Sequence, residues 1–156
     1  IARARPVLAT MGKSLYETGG LGSGHAMKAL NNYVAAAGFA AACEALILGE
    51  TFGLDPAVMV EILNSSTGRN FSTENTVKGE ILTGSFASGF GLGLFAKDVG
   101  IAADLARGLA LSAPLVAEVN ALMAQARDAM GVDADHTRAI EAWRQRAGKG
   151  PSHCDG

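Results

Sequence analysis

From Ser23 onward the chain is committed to one long helix. Met27, Leu30, Val34, Ala37 and Ala41 recur at spacings of three and four, followed by Leu46 and Gly49, before Gly53-Leu54 turns the chain. The segment reads as a helix of about 30 residues, and everything else must pack along it. Aromatic residues make up only 6% of the sequence, so Ala, Leu, Val and Gly must supply most of the core. Small side chains let helix axes approach closely, and helix-on-helix packing with thin interfaces is the expected result.

Shorter elements follow. Asp55-Pro56 places an N-cap before a proline at the first helical position, and Val58, Val60, Ile62 and Leu63 fill a short helix ending near Gly68. Arg69 to Gly91 is the least regular stretch, with a helix expected over 73–82 and Gly84, Gly89 and Gly91 breaking the chain around Phe86 and Phe90. Loops of this kind are functional candidates. A third long helix is expected from about Leu92 to Ala110, with Leu94, Val99, Ile101, Ala102 and Leu105 on its apolar face. Pro114 opens a fourth, in which Val116, Val119, Leu122, Met123, Ala126 and Met130 form one stripe closed by Gly131. Asp133 is expected to cap a last helix through about Ala147, and the 148–156 tail reads as mobile. Ahead of the long helix, 2–11 reads as a short helical piece and Lys13 to Thr18 as a brief strand. A single strand has no sheet to join, so it is expected to be disordered or paired with another chain.

Composition excludes several classes of function. A length of 156 residues, 49% hydrophobic and 18% charged, suits one globular domain. Thirteen Lys and Arg against fifteen Asp and Glu give a net charge of −2, which offers nothing to a run of phosphates or an anionic membrane. The uncharged apolar run Tyr33 to Cys43 stops at Glu44, short of the roughly 20 residues that span a bilayer. Cys43 and Cys154 make no disulfide framework, and with no secretory signal a cytoplasmic location is expected. The chain opens at Ile1 without an initiating Met, as a fragment would.

Few residues carry chemistry by pattern. Lys28 and Asn32 lie four apart near the start of the long helix and share a face with Gly24. An ammonium beside a carboxamide can bind a carbonyl or hydroxyl oxygen, and a desolvated Lys can serve as acid or base near neutrality; a solvated Lys and a helix-surface Asn is the blander reading of the same spacing. Lys97-Asp98 is a charged pair inside an apolar helix, and Arg69 follows the polar helix end Ser65-Ser66-Thr67 and is suited to hold a carboxylate or to sit at the surface. The glycines 19, 20, 22 and 24 do not complete G-x-G-x-x-G, because His25 or Met27 falls at the sixth position. They read as a hinge before a helix. His25, His136 and His153 have no acidic or Cys neighbours at metal-ligand spacing, and no metal site is expected.

In combination these segments are distinctive. Gly22-Ser23-Gly24-His25-Ala26-Met27-Lys28-Ala29-Leu30-Asn31-Asn32 resembles the G-x-G-x-x-x-K-x-x-N-N helix start of the 3-hydroxyisobutyrate (β-hydroxyacid) dehydrogenase family. Glu44-Ala45-Leu46 with Gly53-Leu54-Asp55, Ser65-Ser66-Thr67-Gly68-Arg69, and Phe90-Gly91-Leu92 through Lys97-Asp98 resemble its later segments in order. His25 departs from the Gln often found there, and Asn70-Phe71 from the Cys-Trp of the animal branch.

The resemblance implies an all-α domain built on one long central helix, of the type that forms the C-terminal half of 6-phosphogluconate dehydrogenase-like enzymes. On this reading 1–20 is the end of a missing N-terminal Rossmann domain, 21–147 is the helical domain and 148–156 is a flexible tail. It implies an NAD(P)-dependent oxidoreductase interconverting a small 3-hydroxy acid and its oxo acid or semialdehyde. Lys28 would be the general acid or base, Asn32, Gly24 and Arg69 would bind substrate, and Lys97 would contact NAD or NADP. Asp98 would position Lys97 or cap local backbone. The isolated fragment would be inactive, because the dinucleotide loop is absent. The family assembles through this domain, so a homodimer or homotetramer is implied. Two alternatives remain open at this point: a glyoxylate, succinic semialdehyde or imine reductase of the same fold, and a non-catalytic helical oligomerisation module.

Overall fold

The computed structural model describes residues 4–10, 12 and 14–148. Within them the chain is all-α, in the order α1 (Arg5–Leu8), α2 (Ser23–Phe52), α3 (Pro56–Ser65), a π-helix (Ser72–Ile81), α4 (Leu92–Gly108), α5 (Pro114–Met130), a 3₁₀ turn (His136–Arg138) and α6 (Ala139–Arg146). The long helix has the expected bounds. It starts behind Gly22 and stops at Gly53, both with positive φ, the conformation only glycine reaches without strain.

Leu46 and Gly49 of the expected stripe are buried, but over the rest of the helix the buried face is another one than expected. Met27, Leu30 and Val34 are 52%, 40% and 65% exposed, whereas Ala36, Phe39, Ala40, Cys43, Leu46 and Ile47 are buried. α2 is apolar on nearly every side, so periodicity alone offers more than one stripe. Packing selects the one whose alanines and Cys43 let α4 and α5 lie close, with Phe39 filling the gap between helices. Over its length α2 is apolar enough to cross a bilayer, but here it is the strut around which the others pack.

α4 packs against both α2 and α5, and α5 against α6. Val99 and Ala102 on α4 are buried as expected, while Leu94 is 54% exposed. On α5 the buried side chains Val119, Met123 and Ala126 belong to the expected stripe. α4 ends at Gly108, two residues early, because Ala110 takes a positive φ and Leu111 N–H returns to Ala106 O. An aromatic cluster of Phe39, Phe90, Phe95 and Trp143 lies at the centre, which composition did not foretell.

Asp133 does not cap the last helix: α6 starts behind Arg138 with no side-chain cap, and Asp135 caps the 3₁₀ turn that leads into it. Asp135 Oδ1 accepts from Thr137 N at 3.0 Å, and Asp133 is exposed in a turn that pairs back on α4. Leu92 N donates to Ala134 O and Gly93 N to Val132 O. A Cβ at Gly93 would lie 2.8 Å from the Val132 carbonyl, so only glycine admits this contact, one turn before Lys97 and Asp98. At the other end no strand forms over 14–18, because the described residues offer it no partner, and Lys13 lies outside them. α1 buries nothing, and its Arg5 pairs with Glu17 at 2.7 Å. Of the expected tail only Gly148 is among the described residues.

Candidate functional site

α2 carries Asn32, Ala36, Phe39 and Cys43 along one stripe, so the face that packs in the core becomes polar at its N-terminal end. Lys28 lies one turn further out, with its side chain 68% exposed, so the lysine is not desolvated within this chain. Gly24 sits a turn beyond, where an added Cβ would meet Thr18 Oγ1 at an ordinary 3.6 Å.

Asp98 joins these groups. It is 7% exposed on α4, yet its carboxylate is fully engaged. Oδ2 accepts from Asn32 Nδ2 at 2.7 Å and lies 3.6 Å from Lys28 Nζ. Oδ1 lies 3.7 Å from Lys97 Nζ. A buried carboxylate with three partners offsets its desolvation. Asn32 thereby has one amide hydrogen committed, and its oxygen accepts from Asn31 Nδ2 at 3.4 Å, which leaves one lone pair for a further donor. Lys28, Asn32, Lys97 and Asp98 thus form one cluster, with two exposed ammonium groups flanking a buried anion. Asp98 is the member whose role the spacing of Lys97-Asp98 understated.

Arg69 is not brought to this cluster. It is exposed and its Nε lies 3.6 Å from Glu74. The residues after it matter more. Asn70 Oδ1 accepts from Ser72 N and Thr73 N at 2.8 and 3.1 Å, capping the π-helix. That helix occupies the expected 73–82 region, but with wider i→i+5 turns, as in Leu82 N to Val77 O at 3.0 Å. It turns Ser72, Thr76 and Glu80 toward a groove of about 670 Å³. This groove starts at Asn32, passes the small side chain of Ala35 and ends at Ser88 and His136. Its size is that of a ligand site.

His136 closes the groove and is 8% exposed. Its ring lies 5.2 Å from Phe39, 5.2 Å from Phe95 and 5.8 Å from Phe90. Burial among these rings pushes its pKa below the usual histidine value, although Asp135 and the Phe90 carbonyl pull it the other way. Burial also pushes Asp135 up, but hydrogen bonds from Thr137, Ser88 and Gly89 outweigh it and hold the carboxyl below the usual range. Sequence reading passed over His136 because it sought metal spacing. Among the described residues no group of three or more His, Cys, Asp or Glu is placed to hold a metal.

The depressed His136 pKa has a sign that can be checked. The unfolded chain binds a proton at about pH 6.5, and the folded chain only at lower pH, so unfolding gains protons over that window. Stability is full above about pH 6.5 and falls as the pH drops toward the folded pKa. Denaturation midpoints at pH 7.5 and 5.5 are expected to differ, with a smaller difference in His136→Phe. Equal slopes in both proteins would show that His136 does not carry the dependence.

Known proteins share this architecture. Residues 22–143 match a family model described as the NAD-binding domain of NADP-dependent 3-hydroxyisobutyrate dehydrogenase. The chain is 35% identical over 147 residues to 2-(hydroxymethyl)glutarate dehydrogenase of Eubacterium barkeri, covering 94% of this chain and 48% of the relative. It is 38% identical over 120 residues to 3-hydroxyisobutyrate dehydrogenase of Pseudomonas aeruginosa, covering 73% of this chain and 40% of that one. Among solved structures, the 3-hydroxyisobutyrate dehydrogenase of Mycobacterium tuberculosis with L-serine superposes with a TM-score of 0.82 at 30% identity, over 92% of this chain and 51% of that one. The chain therefore spans about half the length of the relatives it matches.

Proposed function

Since the chain belongs to the 3-hydroxyisobutyrate dehydrogenase family, we propose that it is the C-terminal substrate and dimerisation domain of an NAD(P)-dependent enzyme interconverting a small 3-hydroxy acid and its oxo acid or semialdehyde. The observation that carries this reading is the cluster of Lys28, Asn32 and Lys97 around the buried Asp98. A cofactor-binding domain preceding residue 21 would cover the exposed lysines, and 1–20 would be its last segment. The isolated chain is then inactive, and the whole protein is a cytoplasmic homodimer or homotetramer.

The residues present fit the dinucleotide. Lys97 offers an exposed ammonium, held from behind by Asp98, to an anionic cofactor. When bound, the nicotinamide supplies hydride exchange with the substrate carbon. The chain's own residues handle the oxygen. Lys28 Nζ accepts the hydroxyl proton during oxidation and returns it during reduction, and in its charged form it steadies a developing alkoxide. Asn32 holds the substrate beside Lys28 through its side-chain amide, which Asp98 orients.

The test is to express the longer reading frame that contains this chain and follow absorbance of the reduced nicotinamide with 3-hydroxyisobutyrate, glyoxylate and succinic semialdehyde. Turnover of a 3-hydroxy acid by the whole protein, and none by the 156-residue chain, is the expected outcome. No turnover with any hydroxy acid or oxo acid would leave the oligomerisation module as the better account.

A further inference from the structure

The floor of the groove contains a hydrogen-bond acceptor without a partner, and its protonation follows from the bonds around it. Ser88 Oγ lies 2.9 Å from both carboxylate oxygens of Asp135. An ionised carboxylate only accepts, so the single Ser88 proton is used there. Ser88 Oγ also lies 2.9 Å from His136 Nδ1, and the Phe90 carbonyl lies 3.3 Å from the same nitrogen. Both are acceptors toward the ring, so Nδ1 carries the proton of the neutral imidazole. Nε2 is then a bare acceptor, and it makes no hydrogen bond among the described residues. A largely buried side chain, 11% exposed, with an unused lone pair thus lines a ligand-sized groove.

The remaining walls define what fits. Phe71, Phe90 and Val34 supply apolar surface, and Ala35 leaves the hollow between Asn32 and Phe39. The one acidic lining residue is Glu80, whose carboxylate is engaged by Ser85 and by Ala87 N–H, and the groove has no lysine or arginine. A distal carboxylate or sulfonate would face Glu80 and the Nε2 lone pair, with no cation to offset its desolvation.

We infer that the groove receives the distal half of the hydroxy-acid substrate and selects an aromatic or branched apolar body tipped by a hydrogen-bond donor, such as a phenolic hydroxyl, over one tipped by a second anion. The inference rests on the proposed reaction end at Lys28 and Asn32, of which Asn32 lines the groove. It separates this chain from a purely small-acid enzyme, because the body of the ligand would pass Ala35 and its tip would donate to His136 Nε2.

The test uses the chain with ¹⁵N-labelled histidine at pH 7.5, titrated with 4-ethylphenol, ethylbenzene and 4-ethylbenzoate as probes of the distal group alone. In the free protein the His136 resonances should report a protonated Nδ1 and an unprotonated Nε2; the opposite tautomer overturns the inference. 4-Ethylphenol is expected to bind about fivefold or more tightly than ethylbenzene and to move the Nε2 resonance, while 4-ethylbenzoate binds more weakly than either. His136→Phe should abolish the preference for the phenol. Ala35→Leu, which fills the hollow, should weaken the phenol and ethylbenzene alike. Equal affinity for phenol and ethylbenzene, or tighter binding of the benzoate, would sink the inference. A parallel titration of the whole protein with 3-hydroxyisobutyrate, read at Lys28 and Asn32, tests the reaction end separately, so that either reading can fail without the other.

Discussion

In the whole protein, Lys28→Ala is expected to lower kcat about 10³-fold or more while leaving the fold in place. The two effects separate because Lys28 contributes little to packing. Its side chain is 68% exposed and its ion-pair partner, Asp98 at 3.6 Å, keeps Asn32 and Lys97 when the lysine is removed. On the proposed reading, what is lost is the proton carrier and the positive charge beside the reacting oxygen. Both act in the transition state, so kcat and kcat/KM should fall together, with the thermal midpoint unchanged. Steady-state kinetics beside a melting curve decide it. Near-normal turnover in the variant would mean that the cluster around Asp98 is structural and that the domain serves assembly alone.

Asp98 carries the second large effect, of a different kind. Asp98→Ala removes the acceptor of Asn32 Nδ2 and leaves that half-buried donor without its partner, a loss of about 1 kcal/mol in stability. Asp98→Asn keeps the volume and one acceptor oxygen but removes the charge that gathers two ammonium groups. Its stability should lie near that of the parent, and its kcat should be lower by about 10²-fold, as expected for misplaced reacting groups. KM for the dinucleotide should rise as well, because Lys97 loses the anion that holds it. A melt and a two-substrate kinetic analysis of both variants separate positioning from packing. Parent-like kinetics in Asp98→Asn would show that its shape, not its charge, is what the site uses.

The parts of the fold that sequence reveals are those governed by local geometry. Gly53 after a periodic run, Pro56 behind Asp55 and Pro114 before an apolar stripe mark helix ends wherever the chain is found, and α2, α3 and α5 have those ends. The buried side of α2 is not local. Met27, Leu30 and Val34 satisfy the helical period as well as Ala36, Phe39 and Cys43 do, and only the neighbours on α4 and α5 choose between them. The π-helix is similar in kind. The same apolar spacing suits an α-helix, and the wider turn accompanies the Asn70 cap together with Asn64 Nδ2 bonding Thr73 O at 3.0 Å.

The site divides the same way. Lys28 and Asn32 share a face because they lie four apart, which a sequence shows directly. Asp98 meets them across 66 residues of chain from Asn32, and no pattern within α4 points to that contact. Arg69 looked suited to a carboxylate by its place after a polar helix end, yet Glu74 takes it. His136 gained its environment from Phe39, Phe90 and Phe95, which approach it from α2 and from the start of α4.

The π-helix separates what can vary from what cannot. Ser72, Thr76 and Glu80 line the groove, while Val77 and Ile81, one position after Thr76 and Glu80, belong to the hydrophobic core. Removing a single residue from such a helix tightens it toward the α form and rotates the lining set relative to its anchors. Lys28, Asn32, Lys97 and Asp98, on α2 and α4, would be undisturbed. An evolving lineage could therefore reshape the groove by a one-residue deletion, with the cluster around Asp98 inherited unchanged.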